Sequence, residues 1–538
     1  MKKEGTEQIM KKIVKKLAAV GMSTVSILNL AACGSSSASS EATSEITKPD
    51  EFTIMVDNTV LTETNGGQQF YDYLSELTGL TMKWIRPDHT GYYDAVANAF
   101  NTDTTMPDVV LLSSDYYALY ASNGFLWNMT DAWEKSETKN SGRLISTADN
   151  VLSALMVKGE DGTKGMYGFS PFRGNGCCTY VKKAWLDEAG IDVSKVSGVN
   201  MDFATYYGYL KQMAQTRGHY VISAPGFVSA KDAPYTNYLP EFYQKANYTF
   251  YKDDSGKYVD GFTQKEMEDA LQRIQTAVAD GVIDKESVNN STSNARDKFK
   301  STDKGSESGV FTYWAGAWAK QLTQYLKANG LDSELIAINP ITELGSYVER
   351  VAPAWCITTH AQNPEGIYKY FIDTMLDGSD IQTAWEYGAK GTHWDTKAET
   401  VTLQGKEDAG TTYKEGEFHI LPSPEQPNTL TNKNHIDPLL ALTKYKKTDS
   451  NKEGKDPGAD ILDPLAVSNG AFFADHSEVA EALPMTEVLG ENNSDINTAR
   501  QYVVSQVSLG YMSVDEGMTY YTTTVGTLVD QVLKSLNK

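Results

Sequence analysis

The side chains that could carry covalent or acid–base chemistry are plentiful in this chain but unclustered. Seven histidines (His89, His219, His360, His393, His419, His435 and His476) are spread over 538 residues, and no two stand at a metal-ligand spacing. The patterns G-x-S-x-G, H-E-x-x-H and G-x-x-x-x-G-K-[ST] are absent, so the usual signatures of a serine hydrolase, a zinc protease and a P-loop enzyme are missing. Gly174-Asn175-Gly176 is a fragment of a dinucleotide fingerprint that runs into Cys177-Cys178 instead of completing it. Asp253-Asp254-Ser255-Gly256 and Asp449–Asp460 resemble calcium loops only in being acidic; neither follows the twelve-residue ligand pattern. They read as solvated turns, and neither a cofactor nor a metal is expected. Glycoside hydrolysis needs only two carboxylates, and 70 acidic residues supply candidates, so that chemistry stays open.

One thiol does stand in a chemical context. Lys11, Lys12, Lys15 and Lys16 precede a mostly apolar run that ends at Leu30-Ala31-Ala32-Cys33-Gly34. Basic residues, a short apolar stretch and then small residues form the order of a secretory signal. The apolar stretch is too short and too rich in Ser and Thr for a membrane span of about 20 residues. Leu-Ala-Ala-Cys resembles the bacterial lipobox, in which the cysteine receives a diacylglycerol and becomes the new N-terminus. Residues 1–32 are therefore expected to be a signal peptide, and Cys33 a lipid anchor at the extracellular face of the cell membrane. Gly34 to Asp50 is rich in Ser, Ala, Thr and Glu and cannot bury enough surface to offset ordering, so 33–49 reads as a lipidated cysteine and flexible tether. The other cysteines, Cys177, Cys178 and Cys356, imply no disulfide framework and read as buried thiols.

About 500 residues remain after the signal, more than one core usually serves, so at least two lobes are expected. The formal charge is −22, and removing a signal of net +4 leaves the body near −26. Such acidity argues against nucleic acid, whose phosphates demand Lys and Arg. The body opens with a strand, Phe52-Thr53-Ile54-Met55-Val56, whose Phe52, Ile54 and Val56 share a face. A helix ending at Gly79, a strand over 81–86, a helix over 92–100 and a short apolar run at Val109–Leu112 follow. That alternation predicts a doubly wound α/β lobe. Further strands are predicted at Thr179–Val181, Val310–Tyr313 and Leu335–Ile338, with a hairpin over 249–261 turning at Asp254-Ser255-Gly256. Leu271, Ile274 and Val278 mark the apolar face of a helix that stops at Asp280-Gly281.

Several of these segments resemble the bacterial extracellular solute-binding proteins of family 1, the receptors that feed sugars to ABC importers. Met106-Pro107-Asp108-Val109-Val110 resembles the family's "PDVV" strand, and Gly124 to Thr130 its "G-x-L-x-x-L-T" segment. Gly168 through Trp185-Leu186-Asp187-Glu188-Ala189-Gly190-Ile191-Asp192 resembles its "YG-L-P … W-L-D-x-x-G-I" stretch. Ala279 to Asp284 is similar to its "G-L-I-D" helix end, and Asn363-Pro364-Glu365 and Tyr387 to Trp394 to segments of its larger lipoproteins. The order holds over roughly residues 50–400; the last 130 match less clearly. The resemblance implies two α/β lobes joined by crossing hinge strands, with ligand held in the cleft between them. On that basis 48–170 with 306–352 would form one lobe and 171–305 with 353–538 the other. The implied function is capture of a carbohydrate, an oligosaccharide given the chain's size and aromatic supply, and delivery to importer permease subunits, by a monomer with no enzymatic activity. A secreted lipoprotein glycoside hydrolase and a peptide-binding receptor or adhesin are the alternatives.

Sugar recognition needs flat aromatic faces and planar polar groups, and nine Trp and 31 Tyr are available. Clefts in α/β folds form at the carboxyl ends of strands. Trp314 follows the Val310–Tyr313 strand, Trp318 is four residues on, Trp355 follows Pro353 on an expected crossing strand, and Trp394 sits in a Gly-rich loop. These are the candidate platforms. Ser113 and Asp115 follow the buried 109–112 strand, with Asp115 the favoured hydroxyl acceptor. Asn58 follows the first strand, and Arg173 lies in the interlobe loop, where it is either a ligand contact or one half of a structural ion pair.

Overall fold

The computed structural model describes residues 45–102, 104–227, 237–432, 435–445, 456–481 and 483–538. The signal segment, Cys33, most of the tether and residues 449–455 of the second acidic loop lie outside the described residues. The tether's last residues are docked rather than loose: the Ile46 carbonyl accepts from the Tyr370 hydroxyl at 3.3 Å and the Thr47 carbonyl from Asn363 Nδ2 at 3.0 Å.

Residues Glu51–Met55, Thr81–Ile85 and Val109–Leu112 form the parallel strands that the alternation predicts, with Glu51–Met55 in the middle. The helices Gly67–Thr78 and Tyr92–Ala99 make the crossovers. The sheet is completed by Ala354–Ile357, which joins antiparallel beside Val109–Leu112 with Trp355 opposite Leu111. In the second lobe Cys177–Lys182 lies between Leu335–Ala337 and Val310–Trp314, antiparallel to both. Ile222 adds isolated parallel bridges to Val310 and Ile283. Helices pack on both of these sheets, and the chain is a two-lobed α/β protein.

The pairings correct the expected lobe boundaries. Residues 306–352 are expected in the first lobe, yet the Val310–Trp314 strand is zipped along Cys177–Lys182 in the second. Residues 353–538 are expected wholly in the second lobe, yet the Ala354–Ile357 strand and the chain after it as far as Leu442 return to the first. One apolar core gathers side chains between Phe52 and Phe169 and again between Val351 and Leu442. The second lobe's largest core runs from Val181 to Ile341 and resumes from Leu489 to Val532. The described residues therefore place three crossings between the lobes, near 170–176, near 347–353 and before 477. Hydrophobic patterning identifies strands but not their partners, and a third crossing leaves no local mark.

The crossing segments are bound to one another. Tyr347–Glu349 pairs parallel with Ser477–Val479, and Gly176 bridges Glu349. The glycines of the 174–176 fragment have a packing reason: a Cβ on Gly174 would sit 1.8 Å from the Arg350 carbonyl oxygen, and one on Gly176 2.3 Å from that of Val348. Arg173 is buried here and ion-paired to the fully buried Glu349, donating through Nε to both carboxylate oxygens at 3.1 Å. It also donates to the Thr147 hydroxyl at 3.0 Å, while the Gly174 amide donates to Glu349 at 3.0 Å. Arg173 is thus a structural residue of the crossover, not a ligand contact.

Two candidate platforms are likewise packed inside. Trp355 is 4 % exposed, with its ring edge-on to Phe371 and Trp385 at 5.7 and 5.4 Å. Trp394, also 4 % exposed, donates from Nε1 to the Gly388 carbonyl at 2.8 Å and stacks on Phe418. Their neighbours along the chain are apolar or Gly-rich, which does not distinguish a cleft wall from a core. Cys177, Cys178 and Cys356 are buried and outside any disulfide, and burial pushes the Cys178 thiol up to about 12.

Candidate ligand site between the lobes

The helix Ser114–Ser122 starts where the buried Val109–Leu112 strand ends. Ser113 occupies its N-cap position, and its backbone amide donates to the Tyr93 hydroxyl at 2.9 Å. Tyr93 in turn stacks on Tyr116 with centroids 3.9 Å apart and planes within 6°. This clamp sets Ser114 and Asp115, at the start of the helix, on one wall of a cavity of about 440 Å³ between the lobes. That size falls within the range usual for small-molecule sites, about 300–1,000 Å³. The cavity buries Asp115 enough to push its carboxyl pKa up, and the Ser114 hydroxyl at 3.2 Å is the side-chain donor it has.

The opposite wall belongs to the second lobe. The hairpin Phe250–Lys252 and Tyr258–Asp260 forms where sequence predicts it, its turn held by Asp253, which accepts from the Ser255 amide and hydroxyl at 2.9 and 2.6 Å. Phe250, Tyr251, Lys252 and Tyr258 of this hairpin face the cavity together with Asn247. The long helix Glu487–Ser508 supplies Leu489, Asn493, Asn497 and Arg500, and the crossing segments supply Val348, Val351 and the run Glu478–Glu481.

Charge on this wall is largely spoken for. Arg500 is 0 % exposed and donates to Asp260 at 2.6 Å, to the Tyr521 hydroxyl at 3.2 Å and to Asn497 at 3.3 Å. Burial alone pushes its pKa down, but Tyr521, Asp260 and Tyr248 hold it above the usual arginine value. Asn497 passes the network on, donating from Nδ2 to Asn493 at 3.1 Å. Lys252 is ion-paired to Glu481 and lies 5.1 Å from the Tyr258 ring centroid. An adjoining cavity of about 490 Å³ shares Asn247, Ser346, Val348 and Glu478 with the first, and Gln244 and Lys245 lie along its far side.

Of the sequence candidates, only Asp115 lines the main cavity, with Ser113 one residue outside it. Asn58 is engaged within its own loop, donating to Asp88 at 2.9 Å and accepting from the His89 amide at 3.2 Å. Trp314 is half-buried beneath the Arg350 guanidinium at 5.3 Å, and Trp318 stands edge-on to Tyr313 with Arg296 at 5.3 Å. Both lie outside the lining of the two cavities. Sequence reasoning missed Asn247, Tyr258, Asn493, Asn497 and Glu478. The hairpin aromatics were visible, but nothing local shows that a helix some 240 residues later closes on them. Among the described residues, no group of three or more His, Cys, Asp or Glu side chains is placed to hold a metal ion. No helix among them is long and apolar enough to cross a membrane.

Aromatic and apolar faces beside amide and carboxylate groups have the chemistry to bind a polyhydroxylated solute between the lobes. No protein-family model matches the chain, and no curated protein matches it in sequence. Solved structures do. A solute-binding protein from Bifidobacterium longum infantis, described as HMO binding and ABC-transporter associated, superposes with a TM-score of 0.58 at 12 % identity, over 91 % of this chain and 98 % of its own. An N-glycan transport solute-binding protein from Streptococcus pneumoniae gives 0.53 at 16 % identity, over 91 % and 98 %. A family 1 extracellular solute-binding protein from Alicyclobacillus acidocaldarius gives 0.53 at 12 %, over 91 % and 100 %. These neighbours are binding proteins. At such identities the likeness concerns the fold, and the fold of this chain is that of the extracellular solute-binding proteins.

Proposed function

We propose that this chain is a receptor that captures an oligosaccharide in the interlobe cavity and delivers it to an ABC importer, held at the outer face of the membrane by lipid on Cys33. The observation that carries the reading is the cavity itself, walled by both lobes and by two of the crossing segments, at Val348 and Val351 and at Glu478–Glu481, so that a solute filling it touches both lobes at once. Closure is then a population shift, driven by contacts that exist only when the walls meet. In this reading Asp115 accepts ligand hydroxyls, Tyr258 offers a half-buried ring to a sugar face, and Asn493 and Asn247 orient the remaining hydroxyls. The order of Cys33 and the segment before it supports the lipid anchor, and the neighbouring structures' own carbohydrate ligands support the solute class.

Calorimetric titration against oligosaccharides, monosaccharides and short peptides tests it. The expected result is an unhydrolysed oligosaccharide bound at micromolar Kd or tighter, about −8 kcal/mol. Asp115→Ala is expected to weaken that binding by about 10- to 100-fold, the loss of hydrogen bonds to a charged acceptor. A peptide hit without any sugar, or sugar cleavage during titration, would overturn the reading. Labelling with a radioactive fatty acid, lost in Cys33→Ala, checks the anchor.

A further inference from the structure

We propose that the interlobe cavity is charge-selective, taking uncharged or amine-bearing saccharides and rejecting acidic ones, and that Asp115 sets this preference. The inference rests on the carbohydrate reading above and goes on to the ionic class of the ligand.

Negative charge is in excess among the described residues that line the cavity. Each cation there already has an anion: Arg500 is held by Asp260, and Lys252 by Glu481. Two carboxylates are left over. Among the described residues, neither Asp115 nor Glu478 has a lysine, arginine or histidine within ion-pair distance. Glu478 is exposed at the rim, where water solvates it. Asp115 is the deeper of the two, its one side-chain donor is the Ser114 hydroxyl, and burial raises its pKa. Its remaining lone pairs are satisfied by what enters the cavity.

A hydroxyl or an ammonium on the ligand supplies the missing donor. A ligand carboxylate or sulfate does the opposite. It brings a second negative charge into a space with reduced screening and no unmatched cation, where like charges cost more than in water. The arginine that would otherwise receive an acid is spent: Asp260 neutralises it, and its Nε and two terminal nitrogens donate to Tyr521, Asn497 and Asp260. Lys245 lies in the adjoining cavity but is exposed, so solvent and salt screen it.

The test titrates the full-length chain with saccharides matched in length and linkage but differing in charge. These are a short glucose oligomer, its amino-sugar counterpart and its uronate counterpart, each in alpha- and beta-linked series. The neutral or amino member is expected to bind, with the matching uronate about 100-fold weaker at low salt. Raising the salt should narrow that gap by screening the repulsion, a readout that needs no variant. Asp115→Asn, checked for native circular dichroism, should bring the two within about tenfold, while Glu478→Gln at the rim moves them less. A uronate that binds as well as its neutral counterpart, or a gap unmoved by both salt and Asp115→Asn, overturns the inference and leaves the receptor reading intact. Absence of binding by every saccharide overturns both.

Discussion

Asp115 shows how one side chain acquires a role from its surroundings. It lies just past the N-cap of a helix, where the dipole favours a negative charge, and in a cavity where burial opposes it. Two other carboxyls, away from that cavity, shape the expected pH response above neutrality. Burial pushes Glu241 up to about 7 and Glu386 up to about 8; Glu241 accepts from the Thr179 hydroxyl, Glu386 from Tyr445 and Gln382. The folded state therefore keeps protons that the unfolded chain has already released above about pH 4.5. Fewer protons bound in the unfolded state means stability falls as pH rises, across the window from about 4.5 to about 8. Below about pH 6.5 the buried His435, held down to about 3, acts in the opposite sense, so thermal melting should drop most clearly from about 6.5 to about 8, where Glu386→Gln should flatten the decline. A melting temperature that rose over that upper range would contradict the assignment.

At the scale of elements, the crossover is built around a buried ion pair with the backbone packed closely on it. Arg173 and Glu349 lie on different crossing segments, and Ser477 of the third is 3.4 Å from Arg173. Removing one partner leaves a buried charge uncompensated, so Glu349→Ala should cost about 3–5 kcal/mol, read by chemical denaturation. Gly174→Ala should be comparably damaging, because its Cβ would meet the Arg350 carbonyl at 1.8 Å and push the crossing segments apart. Either substitution should also disturb ligand-driven closure, which small-angle scattering reports as a loss of compaction.

At the scale of the whole molecule, the second lobe depends on chain that arrives last. The helices Glu487–Ser508 and Val514–Leu536 pack on each other and on Lys265–Ala279, burying Tyr521, Val525, Val529 and Val532. Each such side chain contributes about 1.5–3 kcal/mol by leaving water. Deleting residues 514–538 should therefore unfold the second lobe while the first, with its own core, still melts cooperatively; differential scanning calorimetry separates the two transitions. Ligand at 100 times its Kd should raise the stability of the intact chain by about 2.7 kcal/mol.

The sequence by itself determined the local units and their class. Alternation of apolar residues marked Glu51–Met55, Thr81–Ile85 and Val109–Leu112 and the helices between them, and Asp254-Ser255-Gly256 marked the hairpin turn, because period and turn chemistry are properties of adjacent residues. Asp115 was legible for the same reason, standing just beyond a buried strand. Tertiary structure alone decided which strands pair, so the lobe boundaries and the third crossing emerged only with the sheets. It also decided which polar and aromatic residues stay wet. Arg173 found Glu349, 176 residues away, and became structural. Trp355 and Trp394 were absorbed into packing, while Asn247, Tyr258 and Asn493 reached the cavity. A tryptophan gains as much by covering a core as by covering a sugar, and only its distant neighbours determine which it does.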